Sequence, residues 1–230
     1  MRFKRNTEPV NNPHRGEANA MHLSKKIERK IRKYNPKGGL DKTTIKLLNR
    51  LSIKHPRLRK HAECVGLLGE AVAIKLKKDP KATFFMGVNH DDGKFPFPKH
   101  FFDGRTITNK EYVKLKKHPI NGYRELRKKK HLFTAYGAGI HHAMSKKGYG
   151  LTLKDIPKNW GLPTVKKMLE IATIIAICDY IDAALTRDGK MKSEEEESSG
   201  NLRKRLEKKF PDDIMAVRIA LREARKIIKK

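Results

Sequence analysis

The chain has 230 residues, a formal net charge of +29 and 37% hydrophobic residues. That is enough for one domain with a sizeable core, and the apolar residues recur too periodically for a disordered chain. The two cysteines, Cys64 and Cys178, form no CxxC pair, which argues against a disulfide framework and fits a reducing compartment. The opening stretch MRFKRNTEPVNN lacks an apolar run behind its positive charge, and the most apolar segment, Leu169 to Cys178, is too short to span a bilayer. A cytoplasmic chain without a membrane span is therefore expected, and its oligomeric state is left open.

Residues 1–20 are polar and unpatterned and read as a flexible basic arm. Residues 21–56 read as basic helices: Met21, Leu23, Ile27, Ile31 and Tyr34 recur at helical spacing. Asn35 to Gly39 interrupts them, and Asp41 or Thr43 offers a cap for the next helix, through Leu47, Leu48 and Leu51. Leu58 to Lys78 predicts a long helix with Val65, Leu68 and Val72 on its buried stripe, Gly66 and Gly69 for close approach, and Asp79-Pro80 as its end. Periodicity alone would allow a strand at Ala82 to Val88; the flanking helices favour a buried helix.

Phe95-Pro96-Phe97-Pro98 is an extended loop. Thr108-Asn109-Lys110-Glu111 is a capping box, and His118-Pro119 opens a further helix through Leu126. Leu132 to Met144 and Thr164 to Leu185 predict two more helices, with a Lys- and Gly-rich loop at 145–159 between them. Residues 188–202 read as a mobile low-complexity loop, and residues 203–230 as a C-terminal helix carrying Ile214, Val217, Ala220 and Ala224. No alternating strand pattern occurs, so the expected fold class is all-α.

Through these helices run His61, His90-Asp91, His118, His141-His142 and Asp179. Imidazole nitrogens and carboxylate oxygens are the usual ligands of divalent metal pairs, and a bundle of helices can aim them at one internal point. A carboxylate can bridge two metals, whereas an imidazole ligates only one. Asp179 interrupts an apolar helix face, where a carboxylate needs a partner or a metal. Asp182, three residues on, either orients a ligand histidine or has no role. Two divalent cations activate water and neutralise phosphate oxygens, so phosphoester hydrolysis is the natural reaction.

The segments His61-Ala-Glu-Cys-Val65, His90-Asp-Asp-Gly-Lys94, His118-Pro119, His141-His142, Gly148-Tyr149 and Asp179-Tyr-Ile-Asp182-Ala183 resemble, in order and spacing, the HD superfamily of metal phosphohydrolases. They look most like its HD-GYP branch, and the resemblance covers about residues 57–187. It implies a helical bundle around a dinuclear site that hydrolyses a cyclic dinucleotide such as cyclic di-GMP. The metal ligands would be His61, His90, Asp91, His118, His141, His142 and Asp179, with Asp91 the bridge. Lys94 would hold a phosphate oxygen. Tyr149 and Arg187 are further candidates for substrate contact. Fe or Mn would be the metal, with Co, Ni or Zn as alternatives.

The chain departs from the branch at Asp92, at Ala143, at Lys146-Lys147 and at Gly150. Arg57 stands where some members place the Glu of a third metal, which favours two.

Two other readings use the same residues: an HD-type enzyme acting on other nucleotides or nucleic-acid ends, and a nucleic-acid-binding protein with a non-catalytic metal site. The charge motivates both. Residues 1–60 hold 18 Lys and Arg against 4 Asp and Glu, a surface that attracts anions. Its aromatics are only Phe3 and Tyr34, which argues against a stacking platform for single strands. A lysine-rich bias without function is the bland alternative.

Overall fold

The computed structural model describes residues 14–186 and 199–228, with the side chains of 14–23 and 199–201 outside that description. Among the described residues all regular structure is helical, as the patterning predicts. Helix α1 runs His14–Tyr34, α2 Leu40–Lys54, α3 Pro56–Lys75, α4 Pro80–Asn89, α5 Asn109–Leu115, α6 His118–Lys128, α7 Leu132–Ile140, α8 Leu162–Thr186, α9 Ser199–Lys209 and α10 Ile214–Ile227.

Several boundaries differ from expectation, each for a local reason. Helix α1 begins at His14, inside the expected arm; Ala18 and Ala20 favour helix, whereas residues 1–13 lie outside the described residues. Gly39, at φ 75°, precedes α2 with no side-chain cap, so neither Asp41 nor Thr43 serves. Helix α3 stops at Lys75 because Lys77 turns left-handed (φ 55°) and Lys78 N–H donates to the Ala73 carbonyl. Asp79 then caps α4 by accepting from Ala82 N–H at 2.9 Å, with Pro80 in the first turn. The stretch expected as one helix to Met144 leaves α geometry at Ile140 and continues as a 3₁₀ turn over His141–Met144. Part of the expected 188–202 loop is helix, since α9 starts at Ser199; residues 187–198 lie outside the described residues.

Helices α3 and α4 form the middle of the bundle. On one side they pack against Ile27 and Ile31 of α1 and Leu48 of α2. On the other they meet α8, whose Ile171, Ile175, Ile177 and Ile181 are almost fully buried together with Val217 and Ala220 of α10. Each of the isoleucines and Val217 contributes about 1.5–3 kcal/mol by leaving water. The α3–α4 crossing is close because both helices present glycine. A Cβ on Gly87 would lie 2.8 Å from Gly66 Cα, and one on Gly66 would lie 2.4 Å from Val88 Cγ2.

The capping box is present as predicted. Thr108 Oγ1 accepts from Glu111 N–H at 3.2 Å, and Glu111 accepts from Thr108 N–H at 2.8 Å. Arg105 pairs with the same carboxylate, which lies well below the usual carboxylate range, at about 2, because of Arg105 and the Thr108 N–H. Thr108→Ala is expected to destabilise the chain by about 1 kcal/mol without altering metal content, as read from chemical denaturation and elemental analysis.

Candidate metal centre

Six elements bring the candidate ligands to one locus. His61 comes from α3 and His90 from the C-terminal end of α4. Asp91 and Lys94 come from the 3₁₀ turn behind it, and His118 from the start of α6. His141 and His142 come from the turn after α7, and Asp179 from α8. All are buried or nearly so. The cluster meets the surface at His61 and His142, whose side chains are 13% and 21% exposed.

Three of the imidazoles are held the same way. Nδ1 of His90, His118 and His141 donates to the carbonyl three residues earlier: Gly87 at 2.7 Å, Leu115 at 2.8 Å and Ala138 at 2.7 Å. Those carbonyls lie at the ends of α4, α5 and α7, where the helix leaves them without an internal partner. Each bond places the proton on Nδ1 and aims the Nε2 lone pair inward. Nε2 of His90 and of His141 is buried and makes no hydrogen bond. An unsatisfied buried polar atom costs about 1–3 kcal/mol, and a bound cation would remove that cost.

His61 sits mid-helix and has no free carbonyl to use. Asp182 takes that part, with Oδ2 2.6 Å from His61 Nδ1. Of the two readings of Asp182, orientation of a histidine is the one the geometry supports. Asp182→Ala is expected to weaken metal binding by about 10–100-fold, and Asp182→Asn by less, because the amide oxygen can still accept. Competition against a chelating dye reads both.

The Asp91 carboxylate faces two groups of ligands. Its Oδ2 lies 3.3 Å from His90 Nε2 and 3.4 Å from His61 Nε2, and its Oδ1 lies 3.1 Å from His118 Nε2. On the first side, His61 Nε2 also approaches Asp179 Oδ1 at 3.1 Å, and His61, His90 and Asp179 form a group close enough to share an ion. On the second side, His118, His141 and His142 form another, with His118 and His142 Nε2 atoms 3.1 Å apart. The donors fit two divalent cations with mixed nitrogen and oxygen ligands.

The electrostatics differ between the two groups of histidines. Burial pushes the Asp91 and Asp179 carboxyls up, but His90, Lys94 and His118 at Asp91, and His61 and His90 at Asp179, outweigh it and hold both well below the usual range. Burial lowers His141 well below its ordinary value, with His142 and His90 adding to it, and lowers His142 to about 3. Burial and the charge of Lys94 lower His118. These three rings keep neutral lone pairs, as metal ligation requires. At His61 and His90 burial is opposed and overcome by the carboxylates, which raise His90 to about 9. That side of the cluster favours positive charge.

Lys94 is buried, with Nζ 2.5 Å from Asp91 Oδ2. Asp92 neither joins the ligands nor faces solvent: it is buried and pairs with Lys129 at 3.2 Å. Tyr149 stacks on His142, ring centroids 4.5 Å apart at 24°, with Lys116 Nζ 5.6 Å from its own ring. Sequence reasoning missed Lys116 and Lys129, which carry no motif. Arg187 lies outside the described residues. No described helix is long and apolar enough to cross a membrane.

A family model for the HD domain matches residues 58–184, more than half of the chain and a span within which the seven candidate ligands lie. No curated protein and no solved structure matches the chain. The chain belongs to the HD domain family, whose members are typically metal-dependent phosphohydrolases.

Proposed function

We propose that the chain is a two-metal phosphodiesterase of HD-GYP type that hydrolyses a cyclic dinucleotide, cyclic di-GMP or a relative. The observation that carries this reading is the position of Asp91 between the two ligand groups. His61, His90 and Asp179 with Asp91 Oδ2 would hold one metal; His118, His141 and His142 with Asp91 Oδ1 would hold the other. Two such cations lower the pKa of water and neutralise the oxygens of a phosphodiester.

The protein's own groups do the rest. The Nδ1 bonds to helix-end carbonyls keep the rings from turning. Lys94 uses one of its three donors on Asp91, leaving others for a phosphate oxygen as charge builds up in the transition state. Tyr149, flat against His142 near the exposed edge of the cluster with Lys116 over its ring, would meet a substrate entering from that edge. Arg57, where a third-metal Glu would stand, supports a count of two, and iron or manganese suits the ligand set.

The test combines elemental analysis of the purified chain with chromatography of cyclic dinucleotides incubated with it. Two equivalents of metal and a linear dinucleotide product are expected. Two equivalents with every cyclic dinucleotide left intact would overturn the substrate assignment.

A second reading, hydrolysis of other nucleotides or of nucleic-acid ends, is favoured by the loop that carries Tyr149. Lys146, Lys147 and Gly150 replace the branch's residues there. Mononucleotides and end-labelled oligonucleotides in the same assay discriminate the two.

A further inference from the structure

Helix α2 turns a line of cations toward a groove of about 220 Å³ formed by Lys42, Thr43, Lys46, Leu47, Arg50 and Lys129. Lys42, Lys46 and Arg50 are spaced i, i+4, i+8, so they rise along the helix at about 6 Å intervals on one side. Lys129, from the end of α6, closes the far wall. No carboxylate lines the groove.

None of Lys42, Lys46 and Arg50 makes an ion pair with a described residue. Glu125, which feels the charge of Arg50, is itself paired with Lys128 at 2.9 Å. Arg50 is held instead by the Phe95 ring, its guanidinium carbon 3.7 Å from the centroid. Cation–π contact fixes a guanidinium in place without cancelling its charge. Lys54, one turn further on, donates to the Phe95 carbonyl at 2.9 Å. Three cations are thus arrayed and left unneutralised beside an aromatic loop that lies some 40 residues away in the chain.

We propose that this groove binds the phosphate backbone of a nucleic-acid strand, independently of the metal centre. The cations follow a line rather than converging on a point, which matches a polyanion better than a single phosphate. They line a depression, which suits a strand better than the plane of a membrane. The net charge of +29 would add long-range attraction and a strong dependence on salt.

The experiment is a titration of fluorescently labelled single-stranded RNA, single-stranded DNA and duplex DNA with the full chain, between about 50 and 200 mM salt. It compares the wild type with the triple variant Lys42→Glu/Lys46→Glu/Arg50→Glu and with a charge-matched control on exposed positions of α9 and α10, Lys204→Glu/Lys208→Glu/Arg225→Glu. Thermal melts and hydrolysis of a small chromogenic phosphodiester establish that both variants are folded, and both readouts should match the wild type. The groove variant is expected to bind its preferred strand at least about tenfold more weakly, with a logarithmic salt slope shallower by about 2, the value for three contacts to a single strand. The control should lose far less. Equal losses in the two variants, absence of strand binding by the wild type, binding to anionic vesicles in place of strands, or displacement of the strand by inorganic phosphate would each overturn the proposal.

Discussion

Asp91→Asn is expected to lower the metal content from two equivalents to one or none and to reduce turnover by about 10³-fold or more, a loss of about 4 kcal/mol of transition-state stabilisation. The carboxylate presents an oxygen to each ligand group, with Oδ2 near His61 and His90 and Oδ1 near His118. The amide has one oxygen, so one of the groups meets an NH₂ donor where a metal needs a lone pair. Lys94, 6% exposed and bonded to Asp91, also loses its counter-charge. A buried charge stripped of its partner costs about 3–5 kcal/mol, so the metal-free variant should melt earlier than the metal-free wild type. Lys94→Gln separates the two effects: it leaves the ligands intact, so metal should stay at two equivalents while turnover falls. Elemental analysis, melting curves and steady-state rates on the three proteins decide it. Two tightly held metals in Asp91→Asn would sink the bridging role.

The candidate ligand types and their order were legible in the sequence because chemistry restricts them. An Asp on the apolar face of α8 or a His-Asp doublet ending an apolar helix has few bland explanations. The grouping was not legible. That His61, His90 and Asp179 come together as one group and His118, His141 and His142 as another, with His90, Asp91 and His141 a third that links them, follows from how α3, α4, α6, α7 and α8 are packed. The carbonyls that hold His90, His118 and His141 were hidden for another reason. They depend on each histidine falling just past a helix end, and helix ends are the least readable feature of a sequence.

The start of α9 was misread for weakness of apolar signal. Leu202, Leu206 and Phe210 are the buried residues that tie α9 to the core, and they are embedded among lysines, arginines and glutamates next to an acidic, serine-rich stretch. Three apolar positions do not outweigh that composition until α10 and α8 supply the surface that buries them. The basic groove was illegible in the opposite sense. Its lysines were plain, but Lys129 and Phe95 reach α2 only through the fold, so an argument from the few aromatics of residues 1–60 could not see them.

Gly93→Ala, a single added methyl group, is expected to disturb the centre from outside the ligand set. Gly93 lies in the turn between Asp91 and Lys94, pressed against the first turn of α6. A Cβ there would sit 2.0 Å from the His118 carbonyl oxygen and 2.4 Å from the Gly122 amide nitrogen. Both obstacles are backbone, so no rotamer change relieves the overlap, and either the turn or α6 must move. Overpacking of this kind costs about 1–3 kcal/mol, which for a chain of this length lowers Tm by roughly 3–10 °C. The displaced parts carry Asp91 and His118, now 3.1 Å apart across the line between the two ligand groups. Metal held by His118, His141 and His142 should therefore be lost before metal held by His61, His90 and Asp179. The ratio of metal to protein in the variant would fall toward one, with turnover lost in proportion to the missing second ion. A wild-type Tm together with full metal content would mean that the turn does not lie against α6 as described.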